Sequence, residues 1–259
     1  MTYTDILYEE RDHVARISIN RPDKLNAFRP HTVDELIDAI KTAGWNRDIG
    51  VIVLTGVGNR AFCTGGDQSV HDGQYGGRGS VGLAIEELQG TIRDVPVPVI
   101  ARVNGYAIGG GNVLATLCDL TIAAESAQFG QVGPKVGSVD PGFGTALLAR
   151  CVGEKKAREI WYLCRRYTAQ EAYEMGLVNK VVPDAELDAE VDSWCQEIVA
   201  KSPTAITLAK RSFNLDSDNI RGISMLGMQA VSLYYDTAES REGVEAFMSK
   251  RKPDFRSKR

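Results

Sequence analysis

The residues best suited to chemistry lie in two glycine turns and in the loop that follows the second. The first turn is Phe62-Cys63-Thr64-Gly65-Gly66-Asp67, the second is Gly109-Gly110-Gly111, and the loop downstream ends on a carboxylate, Asp140. Glycine lets the backbone approach a ligand closely where any side chain would intrude. A helix starting at the second turn would aim its free N–H groups at an anion or a polarised carbonyl. A glycine triplet alone is as readily a tight strand-to-helix turn with no ligand. Two such turns, each after a strand-like run, can bring two backbone N–H groups to one oxygen. That is an oxyanion hole, which favours a carbonyl oxygen as it gains negative charge.

The elements that must hold these turns follow from the apolar pattern. Ile6 to Glu10 and Val14 to Ile19 read as a hairpin about an Arg11-Asp12 turn, and Arg21 to Phe28 reads as a loop. His31 to Trp45 places Val33, Leu36, Ile37 and Ile40 on one helical face. Val51 to Thr55 is a short apolar run of the kind buried on both faces of a sheet. Helix is expected over Ile85 to Arg93 and Asn112 to Leu117, and strand over Val99 to Val103 and Leu120 to Ala123. The segments Thr145 to Cys151, Lys155 to Cys164 and Ala169 to Met175 read as helices before a strand at Leu177 to Val182. Helix then follows helix, at Glu186 to Lys201, Pro203 to Phe213, Ile220 to Tyr235 and Ser240 to Met248. This order predicts an α/β core over residues 1–183 and a helical, oligomerising region over 184–259. Gly73 to Gly82, rich in glycine around Tyr75 and Arg78, reads as a mobile loop placed to act as a lid.

Composition narrows the functional classes. The chain has 259 residues, 43% hydrophobic and 25% charged, with a formal charge of −4, so nucleic acid is not an expected partner. The basic tail (Lys250, Arg251, Lys252, Arg256, Lys258, Arg259) is either a solvated end or a contact for a phosphorylated ligand. Five cysteines without a C-x-x-C pair indicate neither a disulfide framework nor a zinc site, which suits a reduced cytoplasmic setting. No apolar run reaches membrane-spanning length, and no signal-peptide pattern is present. His71 after Asp67 lacks a third ligand nearby, so no metal is expected. Gly109-Gly110-Gly111 lacks the G-x-G-x-x-G spacing of a nicotinamide dehydrogenase.

Over essentially its whole length the chain resembles the crotonase superfamily, the enoyl-CoA hydratase/isomerase-like enzymes. The motifs that carry the resemblance are RPDKLNAF at 21–28, FCTGGD at 62–67, VNGYAIGGG at 103–111, CDLTIAAESAQFGQ at 118–131 and AQEAYEMGLVNKVV at 169–182. The resemblance implies a crotonase-like spiral of ββα repeats with a C-terminal helical trimerisation region, and a homo-hexamer built as a dimer of trimers. It implies an acyl-CoA thioester whose oxygen sits between the N–H groups of Gly66 and Gly110. Lys24 and the backbone of Ala61 and Cys63 would hold the CoA nucleotide, with Asp67 beside them and Trp161 as core or as a wall of the acyl pocket. Coenzyme A would be part of the substrate, and no separate cofactor is implied.

A hydratase of this family uses two glutamates to deliver and activate water, and the matching positions here are Val113 and Gly133. Neither can move a proton, which disfavours ordinary hydration. Ser138, Asp140 and Tyr235 instead resemble the set found in two branches, the 2-ketocyclohexanecarboxyl-CoA hydrolases and the dihydroxynaphthoyl-CoA synthases. Val132 stands where the synthases have threonine, and Arg78 stands near their loop tyrosine, so the hydrolases are the closer match. The expected reaction is a retro-Dieckmann ring opening of a cyclic β-keto acyl-CoA. Asp140 would handle the water proton, Ser138 would fix the water or the ketone, and Tyr235, from this chain or a neighbouring subunit, would polarise the ketone or protonate the α-carbon. A ring-closing synthase, and a protein that binds acyl-CoA without turning it over, are the alternatives. Outside this context Asp140 would be a turn or cap residue and Tyr235 a core aromatic.

Overall fold

The computed structural model describes residues 2–71 and 74–258. Met1, Gly73 and Arg259, on which the expectations for the N-terminus, the glycine-rich loop and the basic tail partly fall, lie outside the described residues. The opening hairpin pairs β1 (Ile6–Arg11) with β2 (Val14–Ile19) in antiparallel register, Leu7 opposite Ser18. The reversal falls at Asp12-His13, one residue later than expected, and both have positive φ (50° and 65°). Two left-handed residues match the twist of the flanking strands.

After α1 (Pro30–Trp45) the chain repeats one unit three times. The first unit is β3 (Val51–Gly56), β4 (Ala61–Cys63) and α2 (Ile85–Asp94). The second is β5 (Val99–Val103), β6 (Tyr106–Ile108) and α3 (Gly110–Leu117), and the third is β7 (Leu120–Ala124), β8 (Gln128–Gly130) and α4 (Gly133–Val136). In each unit the longer strand joins one sheet and the three-residue strand joins another. Among the described residues the larger sheet runs β1-β2-β3-β5-β7-β10, closed by β10 (Lys180–Val182), and the smaller runs β4-β6-β8-β9, closed by β9 (Tyr167–Thr168). Pairing is parallel except for the β1–β2 and β8–β9 pairs. This is the mixed α/β spiral that the motifs implied.

The helix expected from Thr145 is split. A π-helical turn at Phe143–Leu147 comes first, then α5 (Leu148–Val152), α6 (Glu154–Leu163) and α7 (Ala169–Glu174). Gly142 enters the turn at φ 81°, and its N–H donates to the Thr145 hydroxyl at 3.0 Å. The last stretch is α8 (Leu187–Val199), α9 (Pro203–Asp216), α10 (Asn219–Tyr235) and α11 (Ala238–Met248). These helices are not detached from the core. Leu187, Val191 and Cys195 of α8 are buried with Val51, Val53, Ile100 and Ile122 of the large sheet, while α10 packs on α2 and α11 on α4. Arg251 of the basic tail is held by Glu242 of α11, Nη2 to Oε2 at 2.8 Å. On α9 and α10, Phe213, Leu215, Leu226 and Leu233 are exposed. Among the described residues, no helix is long and apolar enough to cross a membrane.

Candidate active site

The two glycine turns meet at the end of β4 and the start of α3. The Phe28 N–H donates to Gly65 O at 2.9 Å and the Asp67 N–H to Phe28 O at 2.8 Å, which ties the first turn to the loop carrying Lys24. In the second turn the Gly109 N–H donates to Gly130 O at 2.9 Å. Gly110 opens α3, so its N–H has no acceptor a turn earlier in the helix. A Cβ on Gly65 would lie 2.8 Å from Gly110 N, and one on Gly110 would lie 3.2 Å from Gly65 Cα. The contact between the turns is therefore made by glycine backbone alone, and Gly66 and Gly110 both line the cavity beside it.

That cavity is about 100 Å³ and is lined also by Ser138, Asp140, Trp161, Tyr235 and Tyr75. The Ser138 and Tyr235 hydroxyls of one chain lie 2.7 Å apart, and either can donate. Burial pushes the Tyr235 phenol above its ordinary value, opposed by the Ser138 bond. Asp140 Oδ1 accepts the Gly144 N–H at 3.2 Å, a donor presented by the π-helical turn, and Oδ2 accepts from Gln89 Nε2 at 3.1 Å. Burial raises the Asp140 carboxyl to about 7, opposed by these two bonds and reinforced by the charge of Glu86. A carboxyl near neutrality can both take and return a proton at physiological pH. Trp161 donates from Nε1 to Gly144 O at 2.6 Å and so fixes the same turn.

At the two positions that the resemblance matches to hydratase glutamates, the structure places side chains that carry no proton. Val113 is buried in α3, 2% exposed. Gly133 lines the cavity, and a Cβ there would lie 2.5 Å from the Ser138 carbonyl oxygen.

The remaining expected site residues lie beside the cavity and not on it. Lys24 is exposed at the end of a single 3₁₀ turn, Pro22–Lys24. The loop behind it touches the first glycine turn, where the Thr64 hydroxyl donates to Leu25 O at 3.2 Å. Ala61 and Cys63 are buried in β4, and the Cys63 thiol is pushed up to about 12 by burial, which removes it as a nucleophile. The Asp67 carboxylate accepts from Ser69 N at 3.0 Å and from Arg21 Nη2 at 2.8 Å. Against the burial that opposes them, these bonds hold its pKa below the ordinary range. Its charge braces the turn.

Tyr75 of the glycine-rich loop lines the cavity, and three residues packed behind the lining, His71, Gln89 and Ser224, are not marked as site residues by the sequence. The Tyr75 hydroxyl stands against Gly66, 2.2 Å from where a Cβ would be, and accepts from Gln68 Nε2 at 3.1 Å. His71 fills the space between two tyrosines, its ring 4.6 Å from that of Tyr75 and 4.7 Å from that of Tyr235. Gln89 and Ser224 back Asp140 from α2 and α10. The available signals were one aromatic in a glycine-rich loop and, for Gln89, a polar residue on the apolar stripe of Ile85, Leu88 and Ile92.

Comparison with known proteins gives a consistent result. The sequence profile of the family described as "Enoyl-CoA hydratase/isomerase" matches residues 9–258. An enoyl-CoA hydratase from Mycobacterium avium subsp. paratuberculosis K-10 is 29% identical with a TM-score of 0.88, over 98% of this chain and 99% of that one. A carnitinyl-CoA hydratase from Mycobacterium avium is 29% identical with a TM-score of 0.86, over 99% and 100%. An enoyl-CoA hydratase from Bacillus anthracis is 32% identical with a TM-score of 0.74, over 97% and 98%.

Proposed function

The chain belongs to the enoyl-CoA hydratase/isomerase family, and from that premise we propose that it opens the ring of a cyclic β-keto acyl-CoA by hydrolysis, converting 2-ketocyclohexane-1-carboxyl-CoA to pimeloyl-CoA. The observation that carries the reading is the joint presence in one cavity of Asp140, raised to about 7, the Ser138–Tyr235 hydroxyl pair, and the backbone of Gly66 and Gly110. The hydratases among its structural relatives make hydration the competing reading, and Val113 and Gly133 speak against it.

In the proposed reaction the Asp140 carboxylate takes a proton from water as the oxygen bonds to the ring ketone carbon. The tetrahedral adduct collapses, the bond from that carbon to the α-carbon breaks, and its electron pair becomes a thioester enolate. N–H groups of Gly66 and Gly110 hold the enolate oxygen, each worth about 3–4 kcal/mol by analogy with other oxyanion holes. The α-carbon receives a proton from Tyr235, which is resupplied through Ser138 and solvent, Asp140 gives up its proton to solvent, and the former ketone carbon becomes the terminal carboxylic acid of the opened chain. Substrate plus one water gives one product, with no oxidant, metal or separate cofactor. Trp161 walls the acyl group, and the Lys24 loop with the backbone of Ala61 and Cys63 holds the nucleotide near the Asp67 turn. The exposed Phe213, Leu215, Leu226 and Leu233 of α9 and α10 offer apolar surface for contacts between subunits, and the reading carries with it the homo-hexamer, a dimer of trimers, and the cytoplasmic setting expected above.

The test is a substrate panel read by liquid chromatography and mass spectrometry. Conversion of 2-ketocyclohexane-1-carboxyl-CoA to a product heavier by one water, faster than hydration of crotonyl-CoA, supports the reading. Faster hydration of crotonyl-CoA overturns it, as does water loss from o-succinylbenzoyl-CoA, which would identify a ring-closing dihydroxynaphthoyl-CoA synthase. Tight acyl-CoA binding with no turnover would identify a binding protein.

A further inference from the structure

Gln89 is fully buried on the inner face of α2, in a stripe otherwise made by Ile85, Leu88 and Ile92. An apolar residue would fill that place more simply, since a buried amide is unfavourable unless both its ends are bonded. Both ends are. Its Nε2 donates to Asp140 Oδ2 at 3.1 Å, and its Oε1 accepts the Ser224 hydroxyl at 3.0 Å. Ser224 is itself buried, 1% exposed, on α10. By donating to Oε1 it turns the NH₂ of Gln89 toward the carboxylate.

The far end of α10 touches the same loop. Ser224 and Tyr235 both belong to the buried stripe of that helix (Ile220, Ser224, Met228, Val231, Tyr235). Eleven residues apart, they lie on nearly one face and about 16 Å apart along the axis. Tyr235 bonds Ser138, and Ser224 reaches Asp140 through Gln89, so one rigid helix bears on both polar residues of the loop. The turn beyond Asp140 is pressed onto the same helix, since a Cβ on Gly142 would lie 2.6 Å from Ser224 Cα.

We propose that Gln89, oriented by Ser224, is a positioning residue that holds the Asp140 carboxylate in its proton-accepting orientation and couples it to the placement of Tyr235 on α10. The proposal rests on the reading of Asp140 as the group that takes the water proton. The groups facing Asp140 from the elements packed on it are Glu86 and Gln89 of α2, Ser224 and Tyr235 of α10, and the Gly144 N–H of the π-helical turn. Of these, only Gln89 and Gly144 donate to the carboxylate, so loss of Gln89 removes half of that support and favours the protonated form.

The experiment is an infrared pH titration of the full chain, following the protonated-carboxyl stretch that is absent from the Asp140→Asn protein. In Gln89→Met, which keeps the volume and removes the donor, the Asp140 midpoint is expected to rise by about one pH unit, a tenfold change in proton affinity. In Ser224→Ala it is expected to move the same way by less. With 2-ketocyclohexane-1-carboxyl-CoA, Gln89→Met should lower kcat by at least tenfold, leave KM within about threefold, and shift the acid limb of the pH profile with the infrared midpoint. An unmoved Asp140 midpoint in folded Gln89→Met overturns the proposal. If Gln89→Met does not fold, an unmoved midpoint in Ser224→Ala overturns it equally. Failure of the wild type to open the ring would overturn the assigned reaction and leave the infrared result to judge the positioning role separately.

Discussion

Replacing Asp140 by Asn should destroy activity and stabilise the protein. Burial raises the Asp140 carboxyl from 3.8 to about 7 in the folded chain, so the folded state binds its proton more tightly than the unfolded state does. Because the folded value is the higher one, the penalty is absent below about pH 4, grows between pH 4 and 7, and is complete above that window. Three units correspond to about 4 kcal/mol at pH 8 and under about 2 kcal/mol at pH 5. These are ceilings, because part of Asp140 borders solvent in the cavity. Asn avoids the penalty and keeps its contacts. Its Oδ1 accepts from Gly144, and a reversed Gln89 amide accepts its NH₂ while donating to the Ser224 hydroxyl. Thermal or urea unfolding of wild type and Asp140→Asn at pH 8, 6.5 and 5 measures the difference. The variant should be more stable by several degrees in Tm at pH 8, with the gap at least halved at pH 5. A variant no more stable than wild type at pH 8, or a gap that does not shrink on acidification, refutes the reasoning.

Three further outcomes are expected. Tyr235→Phe removes one partner of the 2.7 Å hydroxyl pair and should lower kcat about 10²- to 10⁴-fold, with the Tyr235→Phe/Ser138→Ala double variant little worse than either single one. Steady-state kinetics check this, and fully multiplicative losses would show that the two act independently. Gly133→Ala would place a Cβ 2.5 Å from the Ser138 carbonyl, so Ser138 must move. Activity should fall at least tenfold and stability by about 1–3 kcal/mol, read by kinetics and urea unfolding. Lys210, 6% exposed on α9, donates to Ile92 O at 3.0 Å and Val97 O at 2.9 Å and pairs with Asp119 at 2.8 Å. Lys210→Met should cost about 3 kcal/mol in urea unfolding, toward the low end for a broken buried pair because Asp119 keeps some solvent.

The parts of the fold that were legible in the sequence are those with long periods or strong punctuation. The buried run Val51 to Thr55, the stripe of α1 and the helix series after residue 186 carry their own signals, and the structure has each of them. The strands β4, β6 and β8 were not legible as elements, since three residues cannot display a period of two. The π-helical turn at Phe143–Leu147 was also missed. It depends on the Asp140 carboxylate accepting the Gly144 N–H four residues on, and on α10, far along the chain, pressing against Gly142. In the site, glycine turns announce themselves because only glycine tolerates their backbone approach, as between Gly65 and Gly110. Ser138, Asp140 and Tyr235 were found by resemblance. Gln89, Ser224 and His71 matter through tertiary contact alone, and no local pattern marks them beyond one polar residue in an apolar stripe.

The most direct test of the central claim is the fate of the water oxygen. The purified protein is turned over with 2-ketocyclohexane-1-carboxyl-CoA in oxygen-18 water, and the product is fragmented by mass spectrometry. The account predicts a ring-opened CoA ester with label in the new terminal carboxylate and no free CoA. Label in a carboxylate released together with free CoA, or an intact ring, would contradict it.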